Sequence, residues 1–102
     1  MLILVFYVPE THKESVKEAV FAAGAGRYRN YDRCAWETAG TGQFRPLDGA
    51  NPFLGTSGTL ERVVEFRVEM LCPEEHKQAV IAALKLAHPY EEPAWHLISA
   101  QS

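Results

Sequence analysis

The densest run of side chains able to do chemistry is His88-Pro89-Tyr90-Glu91-Glu92-Pro93. An imidazole beside two carboxylates carries the donors for a divalent ion such as zinc, copper or nickel, so His88, Glu91 and Glu92 are the candidate metal ligands. The competing reading is a tight helix-to-strand connection shaped by its two prolines. That reading is favoured, because one cluster supplies few firm ligands. The second candidate region is Gly40 to Thr59, which holds five of the seven glycines and two of the six prolines. A connection of that length is usually functional or disordered. Phe44, Leu47, Phe53 and Leu54 argue against disorder, since disordered tracts are poor in large apolar residues. The segment reads as a folded ligand-binding loop with Gly40, Gly42, Phe44, Arg45, Asn51 and Gly55 as candidate contacts, its glycine amides free to face a small ligand.

Other constellations are weaker. His12 and His76 fall at equivalent first-turn positions of two helices and read as solvated helix starts, while His96 lies in the last strand and faces either side. Cys34 and Cys72 are far apart, with no Cys-x-x-Cys, which argues against a structural zinc site and for free thiols. No Gly-Lys-Ser/Thr phosphate loop and no Gly-x-Ser-x-Gly nucleophile elbow occurs. The turn Val8-Pro9-Glu10-Thr11 is acidic and unsuited to the phosphate cradle of small ferredoxin-like phosphatases. A small hydrolase thus stays an alternative without a constellation, and the expected class is non-enzymatic. The net charge is −3 with lysines and arginines scattered, which excludes a nucleic-acid footprint. The opening apolar run Leu2 to Val8 is too short for a signal peptide or membrane span. A cytoplasmic protein with no membrane partner is the expectation.

These residues must be positioned by elements, and the elements repeat. Pro9 to Ala23 lies over Pro73 to Ala87 at an offset of 64, with seven identities in fifteen positions. Val16, Ala19, Val20 and Ala23 form a stripe at i, i+3, i+4, i+7, and Val80, Ala83, Leu84 and Ala87 form its copy. Thr11 with Glu14 predicts a capping box opening the first helix, and Pro73 suits the first turn of the second. Gly24 and His88-Pro89 close them. Strands precede both helices: Leu2 to Val8 is apolar on both faces, and Val64, Phe66, Val68 and Met70 alternate with Glu65, Arg67 and Glu69. Strands also follow, over Arg33 to Thr38 and Ala94 to Ser99. The order predicts an α+β, ferredoxin-like duplicated β-α-β domain: a four-stranded antiparallel sheet with two helices on one face. Another two-layer α+β arrangement is the runner-up. The whole chain reads as one domain: residues 1–39 the first unit, 40–59 the loop, 60–102 the second. Ile3, Val5 and Tyr7 would form an apolar second face shared with Glu65, Arg67 and Glu69, which predicts packing against other copies of the chain.

Two stretches carry a family resemblance. Gly26-Arg-Tyr-Arg-Asn-Tyr-Asp-Arg-Cys34 with Thr41 to Gly55, and Ala87-His-Pro-Tyr-Glu-Glu92, resemble the inserted domain of the YqfO-like (Nif-three-like) family, here as a stand-alone domain. The family's pattern has glycine where this chain has Arg29, so the tight turn there is expected to differ. In the family this domain sits in a larger fold with a two-metal centre, of which these 102 residues contain nothing, so that hydrolase activity is not carried over. The inserted domain is similar to the CutA and PII signalling proteins. The resemblance therefore implies a homo-oligomer, a trimer first, sensing a metal ion or small anion, with a regulatory domain acting in trans on a separate catalytic protein as the alternative.

Overall fold

A strand apolar on both faces belongs where both of its edges are paired, and a computed structural model describing residues 1–102 places Leu2–Pro9 (β1) there. The remaining elements are Glu10–Ala22 (α1), Trp36–Phe44 (β2), Glu61–Cys72 (β3), a 3-10 turn Glu74–His76, Lys77–Ala87 (α2) and Trp95–Ser99 (β4). All strand pairs are antiparallel in the order β2-β3-β1-β4, the ferredoxin-like arrangement expected from the duplication.

The register sorts the two faces. Leu4 opposite Met70, and Phe6 opposite Val68, point under the helices. The helical stripes meet them there: Val16 and Val20 of α1 and their counterparts Val80 and Leu84 of α2 have no exposed surface. The α1 layer is also tied to the edge of the sheet. Lys17 donates to Glu37 of β2 at 2.8 Å, Lys13 donates to the same carboxylate, and the Lys13 ammonium stands 3.9 Å from the Phe66 ring. The two ammonium groups, Lys13 foremost, hold Glu37 below the usual carboxylate range.

On the other face Val5 lies opposite Glu69 and Tyr7 opposite Arg67, as the alternation predicts. This face is not a bare apolar patch. Arg67 lies across it, donating to Glu69 at 2.9 Å and to the Tyr7 hydroxyl at 3.2 Å, and Val5 is 1% exposed.

Several boundaries differ from expectation. β2 begins at Trp36 and runs to Phe44, so Gly40 to Phe44 are strand and not loop. The reason is the ladder, which continues from Gly40 opposite Glu65 to Phe44 opposite Glu61. β3 therefore outruns β1 by four residues, and Val64, expected in the core, is exposed on a two-stranded overhang. There is no capping box. Pro9 is the N-cap of α1, Thr11 Oγ1 bonds to His12 Nδ1 at 2.8 Å, and Glu14 accepts from Lys17. The helix springs directly from the end of β1, which leaves Thr11 inside its first turn.

The Arg29 turn keeps the backbone that glycine would favour. Tyr28 and Tyr31 exchange two backbone hydrogen bonds of 2.9 Å, and Arg29, the first central residue, has φ +53°. Positive φ at that position is the requirement of a type II′ hairpin turn, where glycine is preferred.

Candidate functional site

The turn from Ala87 to Trp95 is built around one imidazole. His88 is 6% exposed and both of its ring nitrogens are engaged. The Tyr90 backbone N–H donates to Nδ1 at 3.1 Å, so Nδ1 carries the lone pair and Nε2–H donates to the Tyr7 carbonyl at 2.7 Å. Burial pushes the His88 imidazole below its ordinary pKa, and the Tyr7 carbonyl opposes that shift. The Tyr7 N–H donates in turn to the Ala94 carbonyl at 3.2 Å. His88 therefore clamps this turn to the end of β1.

That geometry corrects the metal-ligand assignment. A ring with both nitrogens committed has no lone pair left for an ion. Glu91 spends a carboxylate oxygen on the backbone N–H of Asn51 at 3.0 Å, and no group of three or more His, Cys, Asp or Glu side chains is placed to hold a metal. His88, Glu91 and Glu92 are joined by sequence and not as a ligand set.

The Asn51 contact shows what the turn does hold. The loop between Phe44 and Glu61 folds back over the end of the sheet and rests on the turn. Phe53 meets Tyr90 at a ring separation of 6.3 Å and His12 at 5.5 Å, and Phe44 meets Tyr90 at 6.2 Å. Pro46 is the buried anchor of the loop, while Leu47 and Leu54, expected to anchor it, are exposed. Between loop, turn and sheet end lies a cavity of about 450 Å³, whose walls include Tyr7, Phe44, Phe53, Glu65, Tyr90 and Glu91.

Two groups in it are unusual. The Tyr90 hydroxyl is buried with no hydrogen-bond partner. Burial first, then the neighbouring Glu65 carboxylate, push its phenol well above the ordinary range, yet the two groups do not meet in hydrogen-bonding geometry. Glu65 itself makes no ion pair. Its carboxylate folds across Gly42 into the space that a Cβ there would take.

The expected loop contacts divide accordingly. Phe44 and Arg45 line the cavity. Gly42 makes room for Glu65, and Asn51 tethers the loop to Glu91. Gly40 sits in the β2 ladder and Gly55, at φ +93°, packs near Glu61 and Phe44, and neither is among the cavity-lining residues. Glu92 lines the cavity and His88 does not. His12 and His76 are not merely solvated: His12 braces Phe53, and the His76 ring fills the space over Gly24. Tyr7, Glu65, Phe53 and Tyr90 were given no site role by the sequence reading. Strand alternation was the available signal for Tyr7 and Glu65, since it already put them on one face.

No family model matches the chain. Among curated proteins it is 50% identical over 95 residues to the GTP cyclohydrolase 1 type 2 homolog of Mycobacterium tuberculosis, covering 93% of this chain and 25% of that protein. The homolog of the same name from Bacillus subtilis is 46% identical over 94 residues, 92% of this chain and 25% of that protein. The chain thus spans about a quarter of the length of the curated relatives it matches. Among solved structures, a Bacillus cereus protein related to NIF3 superposes with a TM-score of 0.80 at 42% identity, over 94% of this chain and 24% of that one. The periplasmic divalent cation tolerance protein CutA of Archaeoglobus fulgidus superposes with a TM-score of 0.70 at 16% identity, over 100% of this chain and 86% of that one. The chain resembles a segment of Nif-three-like proteins, and the CutA likeness shows the shared fold.

Proposed function

We propose that this domain is a non-enzymatic binding or sensing module whose ligand site is the cavity between the 45–60 loop and the 88–94 turn. The observation that carries this reading is a mostly apolar concavity of about 450 Å³ containing a buried hydroxyl with no partner. Concave, largely apolar walls with a few converging polar groups are the usual form of a small-molecule site. An occupant would touch two segments far apart in the chain, and its binding would stiffen the loop against the turn. A small-molecule panel screened by thermal shift tests the proposal, using the wild type and Ala50→Trp, which fills the cavity from its wall. Ligands that stabilise the wild type and not the filled variant are expected. A panel without a single such ligand overturns the reading.

A second reading concerns the open sheet face. Ile3, Val5, Leu71 and Ile98 line a shallow apolar depression there, with Ile98 45% exposed. Its proposed occupant is another copy of this chain, in a trimer. Light scattering on eluting protein should give three times the chain mass, reduced by Ile98→Lys. A monomer at micromolar concentration overturns it.

A further inference from the structure

We infer that the cavity selects a small organic cation, an ammonium group carried on an apolar or aromatic body. This rests on the reading of that cavity as the ligand site and adds the charge and class of its ligand. Three rings line it: Phe44 and Phe53 each stand within 6.3 Å of Tyr90, tilted by 52° and 45°. Aromatic faces carry negative potential and attract a cation lying within about 6 Å of the ring centre. The charged groups of the wall agree with them. The lining carries Glu65, Glu91 and Glu92 against the single guanidinium of Arg45, a formal balance that disfavours an anion.

Glu65 is the group best placed to read the charge. It is half-buried, unpaired, and held in the cavity by the missing side chain of Gly42. A carboxylate so placed gains an ion pair from an ammonium ligand without first breaking one within the protein. A metal ion suits the space poorly, because no three carboxylate, imidazole or thiolate groups stand close enough together to hold one.

The test is a set of probes of one shape and different charge: benzyltrimethylammonium, benzyl alcohol and phenylacetate, titrated into the intact chain. The readout is the NMR shift of the Phe44, Phe53 and Tyr90 ring resonances. The cation should bind at least tenfold more tightly than the neutral probe, and phenylacetate more weakly than either. Glu65→Gln should remove about tenfold of the cation affinity and leave benzyl alcohol unchanged, a pattern that a folding defect would not produce. Neutral and anionic probes binding as well as the cation would overturn the charge selection while keeping the cavity as a site. Failure of all three to move the ring resonances would overturn the site as well.

Discussion

His88 is the side chain whose replacement should report most directly on how the site is held. His88→Ala leaves the Tyr7 carbonyl and the Tyr90 N–H without partners in a place where His88 itself is 6% exposed. A lost hydrogen bond is worth about 1 kcal/mol, and an orphaned buried group costs about 1–3 kcal/mol, so a loss of about 3 kcal/mol is expected. In a domain of this size that lowers the melting temperature by roughly 15 °C. His88→Gln is the informative control, because its amide can donate to Tyr7 and accept from Tyr90 with no proton to gain. It should cost about 1 kcal/mol. The pH dependence separates the two roles. The folded pKa of His88 is lowered from its ordinary 6.5, so the unfolded chain binds the proton first. The stabilisation is complete above pH 6.5 and is lost as pH falls below it toward the folded value. Urea unfolding between pH 5 and pH 8 should show that acid limb in the wild type and a flatter one in His88→Gln, with chelator changing neither. An unflattened limb in the glutamine variant, or equal losses in both variants, would refute the clamp.

Two further outcomes follow from single residues. Tyr90→Phe removes a buried hydroxyl that has no partner, so it should stabilise the domain by about 1 kcal/mol in thermal unfolding. Because burial raises the Tyr90 pKa above its ordinary 10.0, the wild type should also lose stability as pH rises beyond 10, and the phenylalanine variant should lack that contribution. Arg29→Gly relieves a non-glycine residue at φ +53°. The left-handed penalty of about 1–2 kcal/mol exceeds the entropic cost of glycine, and a net gain of about 0.5–1 kcal/mol is expected by urea unfolding.

The duplication was legible because each level of the sequence repeats it: Val16 with Val80 and Val20 with Leu84 are equivalent by offset and equally buried. The apolar character of both faces of β1 was legible too, and it fits a strand paired on both edges. The end of the loop was not. Glycines at 40 and 42 read as part of the loop, whereas the ladder with β3 carries the strand through them and Gly42 admits the Glu65 carboxylate. That accommodation is a tertiary fact with no local signature. A histidine near carboxylates offers ligand chemistry in sequence, and the bonds of its two nitrogens to Tyr7 and Tyr90 fit the tight-connection reading that competed with it. The cavity needs residues from β1, β3, the loop and the turn at once, and only strand alternation hinted that Tyr7 and Glu65 share a side.

The overhang of β2 and β3 sets the mechanics of the site. One wall of the cavity, Gln43 and Phe44 with the loop behind them, rides on a ribbon whose first four β3 residues are braced by β2 alone. The opposite wall is the turn that His88 pins to the central strand. The two walls therefore differ in compliance, like a cantilever facing an abutment. If the cavity takes an occupant, changes of aperture should fall on the ribbon while the frame of the sheet stays still.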